Sequence, residues 1–257
     1  MSKTLKYTDM FNKIIIPESL LFIALLFSAT VSAQVKLPEN WDTEKIKGTT
    51  NYPYPAAAGY PYLTGKFING EIEFRDGIKI GNIQLRYSKY RDELVYYNKD
   101  VSSQVIIDKI SLKGFSLTDS TGVRRIFRQL YFNGYSPGNR FFEVLVDGKV
   151  SLLVYRKTVL ESCAPYSDIF GRLNNMSYQD TFGYYFYQPE KGFEPVKISK
   201  ISLVSKFSKP DQAVVKKILR KNGIKINNEQ GLVRAWRLIA DKQLDATFKF
   251  GDAMIRP

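Results

Sequence analysis

The residues best suited to chemistry crowd into one short stretch: Leu85, Arg86, Tyr87, Ser88, Lys89, Tyr90, Arg91, Asp92, Glu93 and Leu94. An Asp and a Glu hydrolyse a glycosidic bond when they flank a sugar from two sides. Neighbouring residues of a strand point to opposite faces, however, so Asp92 and Glu93 do not converge on one substrate if the strand runs through them. The expectation is a salt-bridged turn in which Arg86 or Arg91 orients Asp92. The chain has no His and a single Cys, Cys163. Those counts exclude a Ser-His-Asp triad, a His-ligated metal and a Cys-rich zinc site, leaving carboxylates, Lys and Tyr for any acid–base work. No catalytic residue, metal or cofactor is assigned. A second aromatic-rich run, Phe182, Tyr184, Tyr185, Phe186 and Tyr187, reads either as a sugar-stacking platform or as core and cross-strand packing.

Charge supplies the other signal. The 257 residues carry 38 Lys and Arg against 25 Asp and Glu, a formal net charge of +13. The excess is concentrated near the end: residues 190–242 hold thirteen Lys and Arg against five acids. Lys216, Lys217, Arg220 and Lys221 crowd one predicted helix face. This pattern fits either a solvated face or a contact with an anionic partner: an envelope protein, an anionic glycan or lipid headgroups. Nucleic acid would satisfy the same charge, but no nucleic-acid motif accompanies it and an export signal argues against it.

That signal occupies residues 1–33. Lys3, Lys6 and Lys13 form a basic start, residues 20–27 are an unbroken apolar run, and Val31, Ser32 and Ala33 make a small-x-small cleavage site. The apolar run is far shorter than the ~20 residues of a membrane span, and no Cys follows it to take a lipid. The expected location is periplasmic or outer-membrane-associated, with an extracellular site also open. A lone Cys also excludes an internal disulfide.

Residues 34–62 change to Pro, Tyr, Asn and Ala, with prolines at 38, 53, 55 and 61 that forbid helix and central strand. The segment reads as an extended leader, either an arm displaying tyrosines or a lead-in packed along the domain. From 63 to 207, short β-branched and aromatic runs alternate with turn residues, the mark of an antiparallel β domain of about ten strands arranged as a sandwich, open barrel or meander. Two hairpins stand out, around Asp76-Gly77 and Asp147-Gly148, because Asp-Gly suits the positive φ of tight turns. Residues 196–204 are read as a further strand and residues 161–180, which lack alternation, as a long loop or a poorly ordered excursion. From 208 the period changes: Ser208 and Asp211 suggest a helix start, Asn222-Gly223 a stop, and Asn228 a second start, giving a basic two-helix hairpin and tail over 208–257. A transmembrane barrel is disfavoured by short strands and a helical end.

Several of these residues resemble a family of secreted proteins from Bacteroidetes-type bacteria with no established function. Carrying the resemblance are Pro61, Tyr62 and Leu63 ahead of Phe67 and Gly70; Arg86, Tyr87 and Ser88 with Asp92, Glu93 and Leu94; residues 141–145 with Gly148, Leu152 and Leu153; and Lys217, Ile218, Lys221 and Asn222. The resemblance implies an envelope location and a β-rich body with a helical tail, and it transfers no catalytic residue. Together these features predict an exported, non-enzymatic binding or scaffold protein, the alternative being a carboxylate-based hydrolase of envelope glycan. Its candidate contact residues are Lys216, Lys217, Arg220, Lys221, Arg86, Tyr87, Asp92, Glu93, Tyr184 and Tyr187.

Overall fold

The computed structural model describes Ile46 and residues 48–98, 102–134, 137–168, 171–242, 244 and 248–250. The export-signal segment and the first part of the leader lie outside these residues. Eleven strands form one antiparallel sheet: β1 (Gly48–Thr50), β2 (Ile68–Phe74), β3 (Lys79–Ser88), β4 (Glu93–Asn98), β5 (Ser103–Ile107), β6 (Leu112–Thr118), β7 (Arg124–Phe132), β8 (Gly138–Val146), β9 (Ser151–Ser167), β10 (Leu173–Gln188) and β11 (Gly192–Val196). Their spatial order is β1-β5-β4-β3-β2-β6-β7-β8-β9-β10-β11. Most adjacent strands are sequence neighbours, and two connections are not hairpins: β1, which lies beside β5, to β2, and β5 to β6 on the far side of β2. Three helices follow, α1 (Lys200–Val204), α2 (Lys209–Lys221) and α3 (Glu229–Asp241).

The sheet rolls up on itself. Strands β3 and β8 are four positions apart in the order, which on a flat sheet at ~4.8 Å per strand would hold them roughly 19 Å apart. Instead Asp92 Oδ1, at the β3–β4 turn, lies 3.3 Å from the Phe141 amide of β8, and the Lys89 carbonyl accepts from the Thr158 amide of β9 at 3.2 Å. Bulges supply part of the bend, with register shifts at Gly70/Ile72 and Val144/Val146. Gly70 is required there, because a Cβ would sit 2.5 Å from the Ser116 carbonyl oxygen and 2.7 Å from Leu85 Cδ1. Ile72, Leu85, Tyr87, Leu94, Leu117, Phe127 and Phe141 fill the inside of the roll.

Farther along the same face, α1–α3 pack on β8–β11 through a second core that includes Leu152, Phe186, Leu203, Val215, Leu219, Leu232 and Trp236. Ser208 caps α2 by accepting from the Asp211 amide, and Asn228 caps α3 by accepting from the Gly231 amide, so both predicted starts fall where the hydrogen-bonding side chains stand.

Two sequence readings are corrected. Residues 161–167 and 173–180 are strand rather than loop: β9 and β10 run on past the sheet body as a paired ribbon, Tyr178 opposite Leu160 and Ser177 opposite Glu161. Most of its side chains are exposed or half-buried, Ser177 and Tyr178 being covered where the leader crosses, so it shows no hydrophobic alternation. The expected strand at 196–204 ends at Val196, and α1 begins at Lys200 because the Ser199 hydroxyl accepts from the Ser202 amide.

The leader's two readings are also separated. Residues 51–62 pack along the domain: Ala58 pairs with Ser177 and Tyr62 with Ser88, while the Tyr178 hydroxyl donates to the Pro55 carbonyl at 2.7 Å. Tyr54 meets Tyr62 edge-on with centroids 5.0 Å apart.

Candidate functional site

Both faces of the β3–β4 turn are occupied, and they are occupied differently. Asp92 takes a left-handed backbone, φ 56°, which tucks its carboxylate into the roll. There it accepts from the Tyr87 hydroxyl at 2.6 Å, from Lys109 Nζ at 2.6 Å and from the Phe141 amide. The expected partners, Arg86 and Arg91, are elsewhere. The Arg86 guanidinium stacks 3.7 Å over the Tyr62 ring and donates to the Gly65 carbonyl, and Arg91 lies 4.3 Å over Tyr54, so these two cations fasten the leader. Sequence spacing pointed to the nearest cations, whereas Lys109 comes from the end of the neighbouring strand: the β4–β5 register, Val95 opposite Ile106, carries on to set it across from Asp92.

Burial raises the Asp92 pKa despite Lys109, and it raises the Tyr87 hydroxyl well above the ordinary phenol, with Asp92 adding to the effect. Ionisation of Asp92 is therefore a cost to the fold. An amide of the same shape, which also tolerates positive φ, should replace it more easily than a methyl group. Asp92→Ala is expected to lower stability by about 3 kcal/mol or more, because it strands Lys109 and the Tyr87 hydroxyl. Asp92→Asn should lose less than half of that, as read by urea unfolding of both variants.

Glu93 faces the other way, into a groove of about 390 Å³ shared with Gly48, Thr49, Arg91, Ile106, Asp108 and Lys109. Burial raises its pKa as well. The two carboxylates thus lie on opposite sides of the strand, and Asp108 is committed to capping the Ile110 amide. Among the described residues no group of His, Cys, Asp and Glu is placed to hold a metal ion.

Between the two cores, on the same face of the sheet, runs a line of charge that the sequence reading missed. Arg125 of β7 grips Glu143 of β8 with two bonds of 2.7 Å each. Arg156 of β9 also donates to Glu143 and reaches Glu229 at the first turn of α3, at 2.9 and 3.1 Å. Tyr184 of β10 donates to the same Glu229 at 3.0 Å; burial, then Glu229, pushes its hydroxyl up to about 12. Nearby, Lys89 pairs with Asp180 at 2.5 Å, and Thr158 donates to that carboxylate. This seam ties the helical layer to the rolled sheet. A signal for it did exist: Arg125, Glu143 and Arg156 share the inward parity of Phe127, Phe141 and Val154, so three adjacent strands each turn a charge toward the core.

The aromatic run divides between faces. Tyr184 and Phe186 lie under the helices, with Phe186 4.2 Å from the Trp236 ring, and this half is core packing. Tyr185 and Tyr187 lie on the opposite face against Phe193.

Lys216, Lys217, Arg220 and Lys221 are all exposed on α2. At 100° per residue Val215 and Leu219, which are fully buried, point one way, and Lys209, Lys216, Arg220, Lys217 and Lys221 spread over the opposite arc with no acid among them. The helical layer contains eleven Lys and Arg but only Asp211, Glu229 and Asp241 as acids. Two of these acids are engaged, Asp211 with the Ser208 hydroxyl and Glu229 with Arg156. Among the described residues, none of the four α2 cations lies within ion-pair distance of a carboxylate. The fold and this surface together define a rolled antiparallel sheet backed by a basic helical layer. No protein-family model, curated protein or solved structure matches the chain.

Proposed function

We propose that this is an exported, envelope-associated binding or scaffold protein that works without catalysis and holds an anionic partner on its basic helical layer. The carrying observation is the cationic arc of α2, Lys216, Lys217, Arg220 and Lys221, which meets no carboxylate among the described residues, on a helix whose other side is locked into the core by Val215 and Leu219. A rigid array of like charges costs self-repulsion unless an anion meets it, and it raises both the affinity for and the capture rate of such a partner. The export pattern of residues 1–33 and the resemblance to secreted Bacteroidetes-type proteins support the envelope location. Among the described residues no helix is long and apolar enough to cross a membrane.

The alternative, a carboxylate-based hydrolase, needs Asp92 and Glu93 to meet at one substrate, and they face opposite sides of the strand. Reversing the four α2 charges to Glu should release the protein from the envelope fraction of its own cells while circular dichroism and thermal unfolding stay close to native. Unchanged fractionation of a folded variant would reduce the arc to a solvated face.

A further inference from the structure

We infer that the anionic partner is a lipid surface: the helical layer docks flat on phospholipid headgroups and inserts apolar side chains between them. This rests on the basic-layer reading above and adds the nature of the partner. Two observations carry it beyond charge alone. First, Ile201 of α1 is 83% exposed and Val214 of α2 is 45% exposed, on helices whose neighbouring positions Leu203, Val204 and Val215 are buried in the core beneath. A β-branched aliphatic left almost entirely in water gains nothing from the fold, whereas at a bilayer interface it gains the burial of its side chain. Val214 borders the cationic arc at Lys217 and Lys221, and Ile201 follows directly on exposed Lys200. Apolar tips alternating with Lys and Arg are the pattern of interfacial helices, in which headgroup phosphates meet the cations and the acyl boundary takes the aliphatic groups.

Second, the cations extend across the layer. Lys225, Arg234, Arg237 and Lys242 are exposed as well, and among the described residues of the layer Asp241 is the only acid not engaged by another side chain. Charge so spread suits a surface charged everywhere better than a single small anion. The complementary object is an extended anionic plane.

Sedimentation with vesicles tests the assignment, using phosphatidylcholine alone and phosphatidylcholine mixed with phosphatidylglycerol. The mature protein is expected to sediment with the mixed vesicles and not with the neutral ones. Reversal of Lys216, Lys217, Arg220 and Lys221 to Glu should weaken this binding at least tenfold. Ile201→Ser, at an exposed position that leaves folding intact, should weaken it severalfold without changing the dependence on salt. No binding to mixed vesicles at low salt, or native binding by Ile201→Ser, overturns the lipid assignment. If charge reversal still strips that protein from envelopes, the basic-layer reading survives with a glycan or protein as partner. If reversal changes neither assay, both readings fall.

Discussion

Replacing Glu143 with alanine should destabilise the protein by about 3–5 kcal/mol, the cost of leaving buried charge unmatched. Its side chain is 7% exposed and lies between Arg125 and Arg156, so deletion leaves two guanidinium groups facing each other in the seam. Glu143→Gln keeps the shape and should fall between native and alanine. The two arginines also fix a pH dependence. Burial works to raise the Glu143 pKa, but the hydrogen bonds and charges of Arg125 and Arg156 outweigh it and hold the group below its ordinary 4.5. A depressed carboxylate contributes its stability in full above the unfolded value and loses it as pH falls through the folded one. The native protein should therefore weaken progressively below about pH 4.5, and Glu143→Gln should show a flatter acid limb over the same range. Equal acid limbs for the two proteins would remove Glu143 from the account of acid stability.

Trp236→Ala should cost a comparable amount, about 3–5 kcal/mol, by a different route. The indole is fully buried at the centre of the second core. It packs against Phe186 at 4.2 Å and Phe248 at 5.4 Å, and its Nε1–H donates to the Val150 carbonyl at 3.1 Å. Truncation opens a cavity between α3 and the sheet and orphans a backbone carbonyl of the β8–β9 connection. Because the helical layer carries the basic arc, this substitution should also diminish envelope binding through partial undocking of the helices. Phe186 lies beneath the same ring, so Phe186→Leu gives a milder version of the same loss. Urea unfolding of both variants, followed by tryptophan-independent circular dichroism, measures the difference.

The parts of the fold legible in sequence were those specified by local chemistry. Asp76-Gly77 and Asp147-Gly148 both fall in hairpin turns, but only Gly77 takes the positive φ, 90°, that favours glycine; at the second turn Asp147 serves instead by accepting from the Gly148 amide and the Ser151 hydroxyl. Ser208 and Asn228 mark helix starts because their side chains satisfy the first free amides. What escaped was set by distance or by the lack of a core. The ribbon of β9 and β10 beyond the sheet is held by cross-strand pairing and by the leader laid along it rather than by an apolar core, so no apolar period announces it. Residues 200–204 are rich in Ile, Leu and Val and read as strand, yet Ser199 begins a helical turn that buries Leu203 and Val204 against the helices. The site divides in the same way. The cationic arc of α2 is visible in the spacing of Lys216, Lys217, Arg220 and Lys221, all local to one helix. The partner of Asp92 was not, since Lys109 stands across from it only once β4 and β5 have paired in register. Nor was the bridge from Arg156 to Glu229, which spans 73 residues.

Whether α2 is a contact surface decides how this protein works. The direct measurement is retention of the mature protein on envelopes isolated from its own cells, titrated with salt, for native protein and for the variant with Lys216, Lys217, Arg220 and Lys221 reversed to Glu. Counterion competition predicts that native protein is held at low salt and released as salt rises, and that the folded variant is not held at either extreme. Equal retention of the two proteins across the salt series would contradict the account.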